Sequence, residues 1–132
     1  VELDDRHRLS RDRRVSPTSG LVLGLALYTT ARVHEAAGNH SQALQVYTQS
    51  FAALEMLKLL KQPLATDVLI GCARASVQIG QLGDALMYAD KAYDLFETHH
   101  SHFGAFRTQR QLVELYNHLL PVQRVVHDMT EE

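Results

Sequence analysis

Apolar residues recur along most of this chain at intervals of three and four, the spacing of one face of an α-helix. Short segments that contain glycine or proline interrupt the spacing. The pattern predicts an all-α fold of about five helices, over Ser19–Ala37, Gln42–Leu60, Leu64–Ile79, Gly83–Thr98 and Ala105–Leu120. Beyond Pro121, a short sixth helix that caps the others is predicted at Val122, Val125, Val126 and Met129.

The same spacing identifies the side chains that we expect to face inward. They are, helix by helix, Leu23, Leu27, Thr30, Ala31 and His34; Ala43, Leu44, Tyr47, Phe51, Leu54 and Leu57; Leu69, Cys72, Ala73 and Ser76; Ala85, Leu86, Ala89, Ala92, Tyr93 and Phe96; and Leu112, Leu115, Tyr116 and Leu119. Gly71 lies inside the third helix, where glycine costs about 1 kcal/mol relative to alanine. We therefore expect close packing or a local bend at that position.

The residues between the predicted helices indicate how each helix ends and begins. Gly38 is expected to end the first helix in a left-handed conformation. Ser41 is expected to cap the second helix through its hydroxyl. Pro63 lacks an amide hydrogen and suits the first turn of the third helix.

A repeat with a long period is visible around the two glycine turns. Gly38 and Gly80 lie 42 residues apart, and each precedes an Ala-Leu pair by five residues. This helix-turn-helix repetition resembles the tetratricopeptide repeat family. The residues that carry the resemblance are Ala31, Gly38, Ala43, Leu44, Tyr47 and Ser50 in the first copy and Ala73, Gly80, Ala85, Leu86 and Ala92 in the second.

The period of 42 is longer than the usual period of about 34 residues. Longer repeats with a proline-containing connection are similar to those of the kinesin light chain type, and Gln62-Pro63-Leu64-Ala65 is such a connection. The resemblance covers about residues 21 to 120. It implies antiparallel helix pairs stacked as a short solenoid, with the first helix of each pair lining a concave surface.

The resemblance implies which side chains line that surface. They are Leu25, Tyr28, Arg32 and Glu35 from the first helix, Asp67, Ile70, Arg74 and Gln78 from the third, and Gln109, Leu112 and Tyr116 from the fifth. Seven of them form the candidate partner-binding set: Tyr28, Arg32, Glu35, Ile70, Arg74, Gln78 and Tyr116. Arg32 and Arg74 would form a cationic ladder for a partner with an acidic group beside an apolar anchor. Alternatively, both arginines face solvent and cover neighbouring apolar surface.

Composition and charge narrow the class of protein. The chain has 132 residues, of which 45% are hydrophobic and 21% are charged, which is typical of a soluble globular domain. A net charge of -2 does not favour nucleic acid or an anionic membrane as the partner. The single cysteine fits a reducing, cytoplasmic location. Because the sequence starts with Val1, we expect a domain from a longer protein.

The first residues differ from the rest in composition. Residues 1–18 are expected to form a charged linker or arm, followed by a helical domain over residues 19–132. Ser16 follows Arg13 and Arg14 and precedes Pro17, a pattern typical of a kinase site, but a charged linker without such a role has the same composition.

Other chemistry has weak support in the sequence. His99, His100 and His102, near Asp94 or Glu97, could bind a transition metal, but histidines in a connecting loop often have no such role. Cys72 lies where a small packing residue is expected. We therefore expect no catalysis, no cofactor and no metal, and predict an adaptor or scaffold module that binds a peptide or partner helix. The alternative is a self-association or regulatory domain of a larger enzyme or scaffold.

Overall fold

The computed structural model describes residues 17–99 and 107–119, and all regular structure in these ranges is α-helical. The helices are α1 (Pro17–Ala36), α2 (His40–Met56), α3 (Pro63–Gln78) and α4 (Leu82–Thr98). Residues 107–119 are also helical and are called α5. The all-α prediction is thus confirmed for the described residues. The sixth helix, Ser16 and most of the predicted N-terminal arm lie outside them.

The turns from α1 to α2 and from α3 to α4 have the same backbone structure. Gly38 and Gly80 have φ values of 83° and 82°. The residue after each glycine donates its amide hydrogen to the carbonyl oxygen five positions earlier, at 2.9 Å in both turns. This is the Schellman motif, in which a left-handed residue closes a helix. The predicted role of both glycines is confirmed, and the turn recurs after 42 residues.

The prediction that Ser41 caps α2 is wrong. The helix begins at His40, and Asn39 occupies the capping position without a side-chain hydrogen bond to the helix. Asn39 is the one residue between the glycine turn and the helix, so the helix has already begun when the chain reaches Ser41. At α3 the prediction is confirmed, because Pro63 is the first helical residue and Gln62 before it is extended.

α2 ends at Met56, four residues before the predicted end at Leu60. Lys58 adopts a left-handed conformation, with φ of 59°. Leu59 then donates its amide hydrogen to the carbonyl of Leu54 at 2.8 Å, and its side chain is 8% exposed. The apolar spacing continues past the turn because Leu59 packs in the core, and for this reason the pattern alone did not show the helix end.

Replacing Lys58 with glycine is expected to raise the free energy of unfolding by about 0.5–1 kcal/mol, because a left-handed conformation costs a residue with a Cβ about 1–2 kcal/mol while glycine loses more backbone entropy. Thermal and urea denaturation measure the difference. Lys61→Gly is the matched control, since Lys61 is exposed and has no positive φ. A loss of stability in Lys58→Gly, or an equal gain in both variants, would contradict the role of this turn.

α1 packs on α2 through glycines inside the helix. A Cβ atom at Gly24 would lie 2.7 Å from Cδ2 of Leu54, and one at Gly20 would lie 2.6 Å from Cδ1 of Leu57. The hydroxyl of Ser50 donates to the carbonyl of Gly24 at 2.8 Å. The two glycines therefore allow the helices to approach closely.

This packing corrects the inward face predicted for α1. Ala31 is fully buried as expected, but Leu23 is 49% exposed and Thr30 is exposed. Residues 21–28 are apolar almost throughout, so their sequence carries little contrast between one face and another. The face that the partner helix covers is instead marked by the small residues.

Gly71 allows a similar approach between α3 and α2. A Cβ atom there would lie 2.5 Å from Cε1 and Cζ of the Tyr47 ring, and Tyr47 is fully buried. The predicted close packing at Gly71 is thus confirmed, and the side chain against which it packs is an aromatic ring.

Gly71→Ala is expected to lower the free energy of unfolding by about 1–2 kcal/mol. Alanine improves helix propensity by about 1 kcal/mol, but forcing a methyl group into a filled core costs about 1–3 kcal/mol or more. Urea denaturation measures the net effect. The double variant Gly71→Ala with Tyr47→Leu should cost less than the two single changes together, because the ring is no longer there. A more stable Gly71→Ala single variant would contradict the contact.

Pairs of contacting residues give the direction of the helices. α1 and α3 are linked by Glu35 and Arg74, 39 positions apart, and α3 and α5 by Asp67 and Arg107, 40 positions apart. Gln78 and His118, also 40 positions apart, line one pocket. A nearly constant offset along both helices means that α3 and α5 run in the same direction. α2, between α1 and α3 in the chain, and α4, which follows α3, run back in the opposite direction.

Two core clusters lie on either side of α3. Ten of its 16 residues are buried, and they contribute to both clusters. The first cluster contains Ala31, Ala43, Tyr47, Leu54, Leu59, Ala65, Val68 and Cys72. The second contains Leu69, Ile70, Ala73, Ala85, Ala89, Ala92, Leu112, Leu115 and Leu119. Alanine dominates where α4 packs, which allows short distances between the helices.

Candidate partner-binding groove

A pocket of about 320 Å³ opens where the C-terminal parts of α1, α3 and α5 meet the start of α2. We call it the groove pocket. Its floor is apolar and its walls carry polar and charged groups. Among the described residues it is lined by Glu35, His40, Ile70, Arg74, Val77, Gln78, Gln111, Glu114, Leu115 and His118.

Four of the seven candidate binding residues line the groove pocket: Glu35, Ile70, Arg74 and Gln78. Arg32 lies beside it, in a smaller depression that it shares with Glu35 and Arg74. The structure thus brings five of the seven close together, although Ile70 is 1% exposed and offers little surface to a partner.

The other two candidates contact neighbouring helices. Tyr28 packs against Tyr47, with ring centroids 5.8 Å apart. Tyr116 faces α4, where its hydroxyl donates to Asp90 at 2.6 Å and its ring meets that of Tyr93 edge to face. Through these contacts, Tyr28 and Tyr116 hold neighbouring helices together.

The remaining residues predicted for the concave surface are also dispersed. Leu112 is 3% exposed and lies in the second core cluster. Gln109 is exposed and lines a different pocket with Arg107 and Arg110. The face of α5 that lines the groove pocket is therefore not the face that we predicted.

Three helices meet in one polar cluster at the edge of the groove pocket. Arg74 on α3 donates from Nε to Oε2 of Glu35 at 2.8 Å and from Nη2 to Oε1 at 3.1 Å. The hydroxyl of Tyr47 on α2 donates to the same Oε1, and Nη2 of Arg74 lies 3.4 Å from that hydroxyl. Arg74 therefore has internal partners, and its charge is balanced by Glu35.

These contacts shift the pKa values of the cluster. Burial raises the pKa of the Glu35 carboxyl, but the hydrogen bonds from Arg74 and Tyr47 outweigh burial and hold the pKa below its usual value. Burial opposes the charge on Arg74, yet its hydrogen bonds to Glu35 raise its pKa. Burial and the hydrogen bond to Glu35 raise the pKa of Tyr47. At neutral pH the cluster is thus an ion pair with a neutral phenol.

The lowered pKa of Glu35 implies a loss of stability in acid. A carboxyl whose pKa is lower in the folded than in the unfolded chain stabilises the fold above its unfolded pKa of about 4.3, and the contribution disappears as the pH falls through the folded pKa. The difference in free energy of unfolding between the wild type and Glu35→Gln should therefore be constant above about pH 5 and shrink below about pH 4. Urea denaturation from pH 3 to 7 measures it. A difference that does not change with pH would mean that the pKa of Glu35 is the same in the folded and the unfolded chain, and would contradict its ion pair with Arg74.

Arg32 differs from Arg74 in its surroundings. Its guanidinium lies 5.9 Å from the centroid of the Tyr28 ring and donates to the Tyr28 hydroxyl at 3.2 Å. Its side chain is 54% exposed, and its nearest carboxylate oxygen, on Glu35, is 3.9 Å away. The geometry fits the alternative in which this arginine covers an aromatic surface and remains in contact with water.

Six lining residues were not among the predicted site residues: His40, Val77, Gln111, Glu114, Leu115 and His118. A signal for four of them exists in the sequence. Gln111, Glu114, Leu115 and His118 follow the spacing of one helical face, and Glu114 and His118 lie 40 positions after Arg74 and Gln78. Neighbouring residues of α3 and α5 are 40 positions apart, whereas the sequence repeat is 42. For this reason the face predicted for α5 differs from the face that lines the pocket.

Two polar atoms of residues that line the groove pocket are buried and have no hydrogen-bond partner among the described residues. They are Nδ1 of His40 and Oε1 of Gln111. Buried polar atoms are nearly always paired in folded proteins, and an unpaired one costs about 1–3 kcal/mol. Both residues line the groove pocket, which makes them candidates to bind a ligand there.

Cys72 is fully buried, and burial raises the pKa of its thiol to about 12. The thiol is therefore protonated at neutral pH and packs as a small apolar group. Among residues 17–99 and 107–119, there is no group of three or more His, Cys, Asp or Glu residues that could hold a metal ion. Of the predicted histidine cluster, His100 and His102 lie outside the described residues.

No family model, curated protein or solved structure matches this chain. Within the described part of the chain, no helix has both the length and the apolar character needed to cross a membrane.

Proposed function

We propose that this chain is a protein interaction module of an adaptor or scaffold, without catalysis of its own, that binds a peptide or partner helix in the groove pocket. The proposal includes a short solenoid similar to long-period tetratricopeptide repeats. Its cytoplasmic location stays a prediction.

The observation that carries the proposal is a pocket between four helices that combines an apolar floor with polar walls, and that is lined by two residues with unpaired polar atoms in the described part of the chain. Peptide grooves combine such a floor with a few placed polar groups that fix orientation. The parallel course of α1 and α3, the same course of α3 and α5, and the repeated glycine turn support the solenoid, because stacking equal pairs places every first helix on one side.

Selection from a library of random peptides of about 12 residues tests the function. Selected peptides should bind the domain in a calorimetric titration, and their addition should shift the amide resonances of α3 and α5 around the groove pocket.

A blocking variant and its control locate the binding. Gln78→Trp places a large side chain at the exposed rim of the groove pocket and should weaken binding at least tenfold, about 1.4 kcal/mol. Gln49→Trp is the same change at an exposed position of α2 and should leave the affinity unchanged. If no peptide binds, or if both variants bind equally well, the groove is not the binding site.

A second candidate function, self-association, is favoured by the outer face of α1. Val22, Leu25 and Val33 are 60%, 50% and 63% exposed. The hydroxyls of Thr29 and Thr30 on this helix donate to carbonyls of their own helix, which leaves their methyl groups at the surface. An exposed apolar face is typical of contact surfaces.

Light scattering against concentration tests self-association. A dimer that dissociates in Val22→Glu with Val33→Glu, but persists in Met56→Glu, would place the contact on α1; Met56 is 77% exposed on α2. A strict monomer at high concentration would eliminate this candidate.

A further inference from the structure

We infer that the groove pocket takes a basic side chain, a lysine or arginine from a segment of the partner protein. This inference rests on the proposed function and names the chemistry of the partner. It differs from the acidic partner that the sequence pattern favours, and the difference comes from how the charges around the pocket are already paired.

The charge balance of the groove pocket is negative. Arg74 and Glu35 form a salt bridge at 2.8 Å, so together they contribute no net charge. Among the described lining residues other than the two histidines, Glu114 then supplies the remaining formal charge. An acidic side chain in the pocket would face this carboxylate, whereas a basic one is attracted to it; the nearby cation Arg32 lies outside the pocket, in the adjoining depression.

The unpaired polar atoms also favour a donor. Oε1 of Gln111 can only accept a hydrogen bond, and Nδ1 of His40 accepts one when the ring carries its proton on Nε2. A lysine ammonium has three donors and an arginine guanidinium has five, and neither has an acceptor. A basic head group has enough donors for these two side chains and for Glu114, all of which line the groove pocket.

The ends of the helices add to this preference. Glu35 and Gln78 lie in the last turns of α1 and α3. The two helices run in parallel, because Gly24 lies next to Leu64 and Glu35 next to Arg74, at nearly the same offset. The C-terminal end of a helix carries a partial negative charge. Two such ends at one pocket favour a cation, and the single N-terminus of α2 at His40 opposes it more weakly.

The floor of the pocket fits the rest of a long basic side chain. Ile70, Val77 and Leu115 provide apolar lining beneath the polar walls. The methylene groups of lysine and arginine pack on such surface while the charged head reaches polar partners.

The peptide selection decides between basic and acidic partners. Among peptides whose binding Gln78→Trp abolishes, lysine and arginine should be enriched and one basic position should recur. Replacing that residue by glutamate should weaken binding at least tenfold. Groove peptides enriched in aspartate or glutamate would overturn the inference and leave the proposed function standing. Absence of any groove peptide would overturn both.

Two variants test the groups that would grip the basic head. Glu114→Gln keeps the shape of the side chain and should weaken a basic peptide about tenfold, because a hydrogen bond to a charged group becomes one to a neutral group. Glu55→Gln makes the same charge change at an exposed position of α2 and should leave the affinity unchanged. Equal affinity of the two variants for the basic peptide would show that Glu114 does not bind the basic side chain.

Gln111→Met separates a binding role from a structural one. Methionine is close in size and has no unpaired amide oxygen, so the free domain should melt at the same or a higher temperature while the basic peptide binds more weakly. A lower melting temperature with unchanged affinity would show that Gln111 stabilises the fold, and would overturn its assignment to the ligand.

Discussion

Ala43→Arg is expected to lower the free energy of unfolding by about 4 kcal/mol or more, a large part of the 5–15 kcal/mol that stabilises a typical domain. Ala43 is fully buried in the cluster that also contains Ala31 and Tyr47. An arginine there must either push the helices apart or leave its charge without water. Circular dichroism during thermal denaturation measures the effect.

Gln42→Arg is the matched control for this change. Gln42 is the preceding residue of α2 and is exposed, so the same side chain can reach water. Its variant should remain within about 0.5 kcal/mol of the wild type. An unchanged melting temperature in Ala43→Arg would contradict the position of Ala43 between α1 and α2.

The local elements of the fold were predictable because each has a chemical cause nearby in the chain. Gly38 and Gly80 end their helices since glycine adopts a positive φ without strain, and Pro63 begins a helix since it needs no donor there. Lys58 makes the same kind of turn as the glycines, with φ of 59°. Its residue type gives no sign of this, so the end of α2 could not be found.

The inward face of α1 could not be predicted, for a different reason. Gly20 and Gly24 are buried because side chains of α2 and of the following loop lie within 2.6 and 2.7 Å of a Cβ position there. Glycine usually weakens a helix, so its presence at these positions does not indicate a packing face. Their role appears only when the partner helix is in place.

The sequence placed several residues of the candidate site on one surface, but it did not indicate which charged residues pair with each other. The sequence repeat placed Glu35, Arg74 and Gln78 on one surface, and the structure has them on one pocket. The repeat did not indicate that Glu35 binds Arg74 across 39 positions. Residues that are equivalent in the repeat are 42 positions apart, and residues in contact need not be equivalent. An arginine assigned to the partner is thus already paired within the fold.

Arg74→Glu is consequently expected to destabilise the fold, by about 2–3 kcal/mol. The change removes two hydrogen bonds from Glu35 and puts a second carboxylate beside it, where the side chains of Arg74 and Glu35 are only 29% and 19% exposed. The expected cost is below that of a fully buried pair because water still reaches both groups. Urea denaturation at pH 7 measures it.

Arg32→Glu provides the comparison for Arg74→Glu. The Arg32 side chain is 54% exposed, so its reversal should cost about 0.5 kcal/mol or less. Equal losses in the two variants would contradict the central position of Arg74. If the losses differ as expected, a variant that combines both charge reversals cannot test partner binding, because the fold weakens together with any contact. Substitutions at Gln78 and Glu114, which are exposed at the rim, separate binding from folding.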